Sequence, residues 1–500
     1  MNFNSIEFAI FFIGVLLLYY VIPKKWRYIW LLGTSYVFYM AWNVKYVVLL
    51  LGVTLLTYTS SRVLAYIDDK TSDTSKRDRR KKIVLWMAIC LNIGLLVYFK
   101  YMNFFASTIY RLLSIIGIET TQVHFDILLP VGISFIIFQS LGYTIDVYRG
   151  KIAAEKNILK YALFVSFFPQ LVAGPIERSE NLLKQIQTVH LQQKMTYDRF
   201  TQGLMLMLYG YFQKVFVGDK LAIIVESTFA NPTGYSAIQL IVGAVAFSIQ
   251  IYCDFGGYSN IAIGAAKVLG FDMMENFNAP YFANSIQDFW RRWHISLSTW
   301  FRDYLYIPLG GNRKGKFRTY VNLMITFLVS GLWHGAQMHY VVWGGIHGVL
   351  QILEKEVRHL CDKLKFNINR EVFSYRLLQI GVTYVLTTIA WIFFRAENTS
   401  VALLYLKQIL VSFDMGTLFD GSLYMMGLNR NDMGAAIFGV IVLLLTDGVR
   451  YFKNMRIEKY LCTQNLWFKW LVLWVFIVSI VLFGEYGVNY DAAEFIYFQF

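Results

Sequence analysis

Asp288-Phe-Trp-Arg-Arg-Trp-His294-Ile-Ser-Leu-Ser-Thr-Trp-Phe-Arg-Asp303 is a polar, aromatic run inside a chain whose other long segments are mostly apolar. Trp290, His294, Leu297, Phe301 and Tyr304 recur at spacings of four, three, four and three, the period of one helical face. That spacing predicts a single helix over 288–305, with Arg291, Arg292, Thr299 and Arg302 largely off the stripe, as suits a membrane interface. His294 falls on the buried stripe. A core histidine bonded to a backbone carbonyl fits that position as well as a catalytic one does, although ionisable groups at bilayer depth are costly and often mark function.

The rest of the composition identifies the solvent. With 57% hydrophobic and 16% charged residues over 500 positions, the chain reads as an all-α, polytopic membrane protein. Aromatic residues at 18% suit many crossings of the headgroup layer. The net charge of +14 is therefore a matter of loop topology and gives no nucleic-acid signal. Ile6 to Ile22 has neither a basic leader nor a small-residue cleavage site and is expected to be a retained span. Cys90, Cys253, Cys361 and Cys462 form no Cys-x-x-Cys pair, so neither a disulfide framework nor a metal site is indicated.

Basic short loops are held on the cytoplasmic side. Lys24-Lys25-Trp26-Arg27 and the block Lys76 to Lys82 are read as two such loops, flanking spans near Tyr28–Trp42 and Lys45–Tyr66. Another span begins at Ile83, and Tyr101–Ile116 fits either a further span or an interfacial helix. Leu163-Phe-Val-Ser-Phe-Phe-Pro-Gln-Leu-Val-Ala-Gly-Pro-Ile176 has only about ten apolar residues before proline and glycine interrupt it, too few to cross a core of roughly 30 Å. A re-entrant or broken helix and a proline-kinked span both fit. Glu177–Arg199 is expected to form a cytoplasmic or interfacial helix, with spans following in Phe200–Phe229, Ala237–Tyr252 and Asn260–Leu269.

Pro308-Leu-Gly-Gly-Asn-Arg-Lys-Gly-Lys-Phe-Arg318 is a basic loop. Gly310, Gly315 and Lys316 match the glycines and lysine of a P-loop, but Phe317 replaces its Ser or Thr and no strand precedes it, which excludes nucleotide triphosphate hydrolysis. The loop serves as a positive-inside anchor or as a contact for phosphates of an anionic ligand. Two arms of about fifteen residues, Tyr320–Gly335 and Val341–Leu353, then flank a turn near Gln337. At roughly 22 Å each they are shorter than the bilayer is thick, which puts His334 deep in it. His347 lies on the returning arm, and Gly331, Gly335, Gly344, Gly345 and Gly348 around the two histidines predict a close backbone approach or a cavity. Further spans are expected near Phe373–Phe394, Ala435–Thr446 and Trp470–Phe483, before an aromatic tail, Glu494–Phe500.

Phe168-Pro-Gln-Leu-Val-Ala-Gly-Pro-Ile176, Asp254-Phe-Gly-Gly-Tyr-Ser259, Phe277-Asn-Ala-Pro-Tyr281, Phe289 through Asn312, and Gly331-Leu-Trp-His-Gly335 together resemble the membrane-bound O-acyltransferases. The likeness spans most of the chain and is closest to the bacterial branch that acetylates cell-surface polysaccharides. Gly256 and Asn260 stand where that family has Ser and Asp. The resemblance implies a single domain over 1–500, with N-terminal spans (1–160), a catalytic core (161–353) and C-terminal spans (354–500). It also implies a helical funnel of roughly 11 to 13 spans with re-entrant and interfacial helices. His334 corresponds to the family's nearly universal histidine and His294 to its second one. The resemblance further implies an acyl thioester donor such as acetyl-CoA, with no bound cofactor. The acceptor would be a cell-envelope polysaccharide, reached directly or through an extracytoplasmic partner acetyltransferase, and the location a bacterial plasma membrane.

Three rival readings stand beside this one. D-alanyl transfer from a carrier protein toward teichoic acid shares the Trp-His-x-Ser-Leu-Ser core. A transporter would use broken helices and buried histidines to line a path, but no matching pair of interrupted segments occurs in the two halves. Soluble-type His-x4-Asp acyltransferases are disfavoured, because none of the seven histidines has Asp five positions later.

Overall fold

The computed structural model describes residues 1–118, 121, 123–172, 174–365 and 372–485. Among them every regular element is helical. Among the described residues six helices are long and apolar enough to cross a membrane: Tyr46–Lys70, Thr74–Ile115, Ala237–Val268, Phe373–Arg395, Arg430–Lys453 and Leu466–Phe483. Ile6–Val21, Ile133–Tyr148 and Thr399–Val411 are apolar but shorter. This is a multi-pass membrane protein. The aromatic tail Glu494–Phe500, and Ala173 within the Phe168–Ile176 motif, lie outside the described residues.

The chain divides into two compact units, the first comprising Met1–Phe200 with Ala265–Met274. Its helices start where the sequence supplies caps. Ser5 accepts from the Phe8 amide at 3.2 Å and Asp73 from the Lys76 amide at 3.1 Å, each satisfying one orphan donor of a first turn. The Asp73 cap turns the block Lys76–Lys82, expected as a loop, into the opening turns of the Thr74–Leu96 helix. A π-turn at Val97–Tyr101 carries that helix on to Ile115, so Tyr101–Ile116 is its continuation.

The helix Ile158–Ser166 breaks at Phe167 and resumes as a single turn, Phe168–Leu171. A break in an apolar interior exposes carbonyls that need donors. Here the side-chain amides of Gln139 and Gln170 both donate to the Phe164 carbonyl, the latter at 2.7 Å, while Ser35 Oγ accepts from the Phe168 amide at 3.1 Å. Beyond it, Glu177–Arg199 is not the expected helix. Short turns at Ser179–Leu183, Lys184–Gln187 and Val189–Leu191 lead into extended chain, because Glu177, Asn181 and Gln185 spend their side chains on backbone groups of 272–274.

Glu177 is buried and accepts from the Met274 amide and, at 2.8 Å, from Asn181. Burial pushes its carboxyl up to about 7, only partly offset by those hydrogen bonds. The folded protein therefore keeps a proton that the unfolded chain releases, so this group's contribution to stability falls as pH rises from about 4.5 to about 7. Glu177→Gln should flatten the pH dependence of the thermal midpoint across that window. An unchanged slope would show that other groups set it.

The second unit comprises Thr201–Gly264 and Glu275–Phe500. Ala237–Val268 is one helix of 32 residues, where two spans were expected around the polar Asp254-Phe-Gly-Gly segment. The helix continues because Asp254 pairs with Lys214 and Gly257 packs where a Cβ would stand 2.7 Å from the Gly210 carbonyl. The two arms of the later hairpin are Lys316–His334 and Met338–Lys363, 19 and 26 residues, longer than the roughly fifteen expected. Lys316–Arg318, read from sequence as the end of a basic loop, is the helical start of the first arm.

The glycines of the hairpin serve a close approach. A Cβ on Gly331 would lie 2.2 Å from the Tyr340 carbonyl, and one on Gly344 2.2 Å from the Phe327 carbonyl. Both obstacles are backbone, which cannot swing aside. Gly344→Ala should therefore cost about 3 kcal/mol through overpacking, read as a lowered thermal midpoint in detergent. An unaltered midpoint would mean the arms part easily.

Candidate functional site

His294 sits at a break that its helical periodicity does not announce. The run expected as one helix is two, Ile286–Arg292 and Ile295–Phe301, and His294 between them has φ 42° and ψ 54°. Left-handed backbone is strained for residues with a Cβ, so neighbouring groups must hold it. Asn276 does so. Its carbonyl accepts from the Ile295 amide at 2.9 Å, its Oδ1 accepts from Ser296 Oγ at 2.6 Å, and its Nδ2 donates to Ser259 Oγ at 3.0 Å. Asn276 thereby ties the Ala237–Val268 helix to the turn that presents His294. The stripe is nonetheless largely buried as expected: Trp290, His294, Leu297 and Phe301 are covered, and Arg291 and Arg302 are exposed.

His334 ends the helix Lys316–His334, and Gly335 after it is extended. Its Nδ1 lies 2.7 Å from the Ser330 carbonyl, one turn back. A carbonyl can only accept, so Nδ1 carries the proton and Nε2 the lone pair of the neutral ring. His347, on the facing arm, has the opposite tautomer: the indole N–H of Trp290 donates to its Nδ1 at 3.3 Å, leaving the proton on Nε2.

The three histidines are joined by indole rings. His294 lies 6.1 Å from Trp333, Trp333 5.0 Å from His334, His334 4.9 Å from Trp343, and Trp343 5.1 Å from His347, between ring centroids. Phe255 at 4.6 Å from His294 and Phe394 at 5.6 Å from His334 continue the enclosure. All three imidazoles are buried. Sequence alone brought His334 and His347 to one hairpin; that His294 joins them depends on Asn276, whose only sequence signal is its place next to Phe277-Asn-Ala-Pro-Tyr281. The Phe168–Ile176 motif belongs to the first unit and the histidines to the second.

A second polar group missed from sequence lies in the same unit. Lys214 bridges Asp219, at 2.7 Å, and Asp254, with all three side chains buried. Asn260, the departure from the family pattern, donates to Gln213 Oε1 at 2.7 Å, a bond that an ionised Asp could not make. Nearer the surface, Arg456 and Arg450 both bind Glu275. Burial disfavours ionising Glu275, but the two guanidinium groups outweigh it and hold the carboxyl below the usual range.

A cleft of about 510 Å³ adjoins the histidine cluster. Trp290, Phe327 and Ser330 form its buried part, and Arg291, Arg302 and Lys355 its basic side. Ser330 is the residue whose carbonyl fixes the His334 tautomer. The arrangement sets enclosed imidazoles beside a cleft whose charge favours an anionic molecule.

The family model described as MBOAT, membrane-bound O-acyltransferase family, matches residues 18–394. A probable alginate O-acetylase of Pseudomonas syringae pv. tomato is 41% identical over 405 residues, 80% of this chain and 74% of that protein. Its counterpart in Pseudomonas aeruginosa is 38% identical over 461 residues, covering 92% and 83% of the two chains. A peptidoglycan O-acetyltransferase of Helicobacter pylori is 35% identical over 403 residues, covering 76% and 73%. The matched span contains every residue of the histidine cluster, and the chain belongs to the membrane-bound O-acyltransferase family as an O-acyltransferase.

Proposed function

We propose that this enzyme transfers an acetyl group from a cytoplasmic thioester, acetyl-CoA or a carrier-bound equivalent, to hydroxyls of an extracytoplasmic envelope polysaccharide, directly or through a partner acetyltransferase. Its place is the plasma membrane of a bacterium, crossed roughly 11 to 13 times as the family resemblance implies, of which the six long and three shorter apolar helices account for nine. The acceptor class rests on the relatives named for alginate and peptidoglycan acetylation. The chemistry rests on one observation above all, the Nδ1–H of His334 donating to Ser330.

In this mechanism His334 Nε2 is the general base. As the acceptor oxygen attacks the thioester carbonyl carbon, its proton passes to Nε2 and a C–O bond forms. The tetrahedral intermediate collapses with cleavage of the C–S bond, and the departing thiolate recovers the proton. His294 assists at the thioester, either at its oxyanion or at the leaving sulfur. On the basic side of the cleft, Arg302 and Lys355 receive the phosphates of the donor. Direct transfer at one site needs no acyl-histidine intermediate.

The test is purified protein in nanodiscs with radiolabelled acetyl-CoA and isolated envelope glycan. Base-labile label on the glycan, with equivalent release of free CoA, is the expected result. Label that appears only when a carrier-bound donor replaces acetyl-CoA would reassign the donor. D-alanyl rather than acetyl transfer would overturn the acyl group proposed.

A further inference from the structure

A groove of about 1080 Å³ runs between the helices Met338–Lys363 and Phe373–Arg395, closed on its third side by residues 284–292 and Tyr451. Its two ends differ in character. Where Met338–Lys363 ends and Phe373–Arg395 begins, Arg358 and Arg376 face it, with Arg291 on the third side. Farther from that end, Leu350, Leu353, Val382 and Leu386 form its walls. From Leu350 to Arg358 the groove follows the helix for roughly 12 Å.

The walls are not covered by protein. Leu353, Val357, Leu378 and Val382 are 52%, 59%, 62% and 51% exposed, so their contact must come from something apolar. The charge at the rim is unbalanced as well. Arg292 pairs with Asp288 at 2.9 Å and Arg358 with Glu354 at 2.8 Å. Among the described residues neither Arg291 nor Arg376 is engaged by a carboxylate; Arg376 marks the end that the charge rule places in the cytoplasm, and Arg291 lines the third side.

We propose that this groove is a binding site for an anionic phospholipid, with acyl chains along the leucine and valine walls and the headgroup phosphate between Arg376 and Arg291. The pairing of apolar length with cationic end matches an amphipathic anion. A nucleotide-bearing donor would leave the apolar walls uncovered. A zwitterionic lipid would bring its own cation to the arginines. The groove shares Gln287 and Arg291 with the cleft beside the histidines, so a lipid phosphate there would lie at the edge of that cleft.

Native mass spectrometry of delipidated protein, offered phosphatidylglycerol and phosphatidylcholine at equal concentration, reads the site. Wild type should retain phosphatidylglycerol about tenfold better, and the double variant Arg291→Gln with Arg376→Gln should lose that preference. Both side chains are exposed, and an unchanged thermal midpoint in neutral detergent confirms folding. Leu378→Trp, which fills the groove, should reduce retention without touching its charge. Equal retention of the two lipids by wild type would overturn the proposal, and so would a preference that survives in the double variant. Displacement of phosphatidylglycerol by CoA would overturn it in favour of a donor site.

Discussion

Lys214→Met should lower stability by about 3–5 kcal/mol, the cost of stranding two buried carboxylates, and in a multi-pass protein that loss should appear as aggregation on extraction or a large fall in the thermal midpoint. Lys214 contacts Asp219 and Asp254 with 1%, 9% and 3% of the respective side chains exposed. The ammonium is the shared counter-charge, and a neutral thioether cannot replace it. Asp219→Asn and Asp254→Asn added to Lys214→Met should recover much of the loss, because removing all three charges together avoids the penalty of an unpaired ion. A thermal midpoint of Lys214→Met equal to wild type would show that water or other side chains compensate the carboxylates.

The largest expected effect on activity belongs to His334→Gln, which should lower kcat for acyl transfer by about 10³-fold, within the range for a general base. The variant keeps most of the side-chain volume, and the altered bond to Ser330 accounts for about 1 kcal/mol of stability. Folding should therefore persist while turnover does not. Donor affinity should change little, since the residues on the basic side of the cleft are untouched. A kcat within a few-fold of wild type would remove His334 from the role of base.

Much of this organisation can be read from the residue order. Apolar length located the Tyr46–Lys70, Phe373–Arg395 and Leu466–Phe483 helices, because hydrophobic run length is a local property of the chain. The small residues at 331 and 344 anticipated a tight hairpin, and the structure resolves the choice between close approach and cavity in favour of backbone contact. What failed to show depends on partners distant in sequence. The stripe through Trp290, His294, Leu297 and Phe301 reported burial correctly but not the break at His294, since a left-handed residue is held by Asn276 from another segment. The same holds for Asp254, which reads as an interruption of a span until Lys214 neutralises it inside the helix pair. Lys214 did carry a signal, as a lone ionisable group in the apolar run Met205–Val217, but only the fold supplies its partners.

The measurement that bears most directly on the central claim is the stoichiometry of a single turnover at matched amounts of folded wild type and His334→Gln, with labelled acetyl-CoA and envelope glycan. One free thiol per ester formed by wild type, and neither product from His334→Gln in the same interval, is the predicted result. Ester formation by His334→Gln at the wild-type rate would contradict the account.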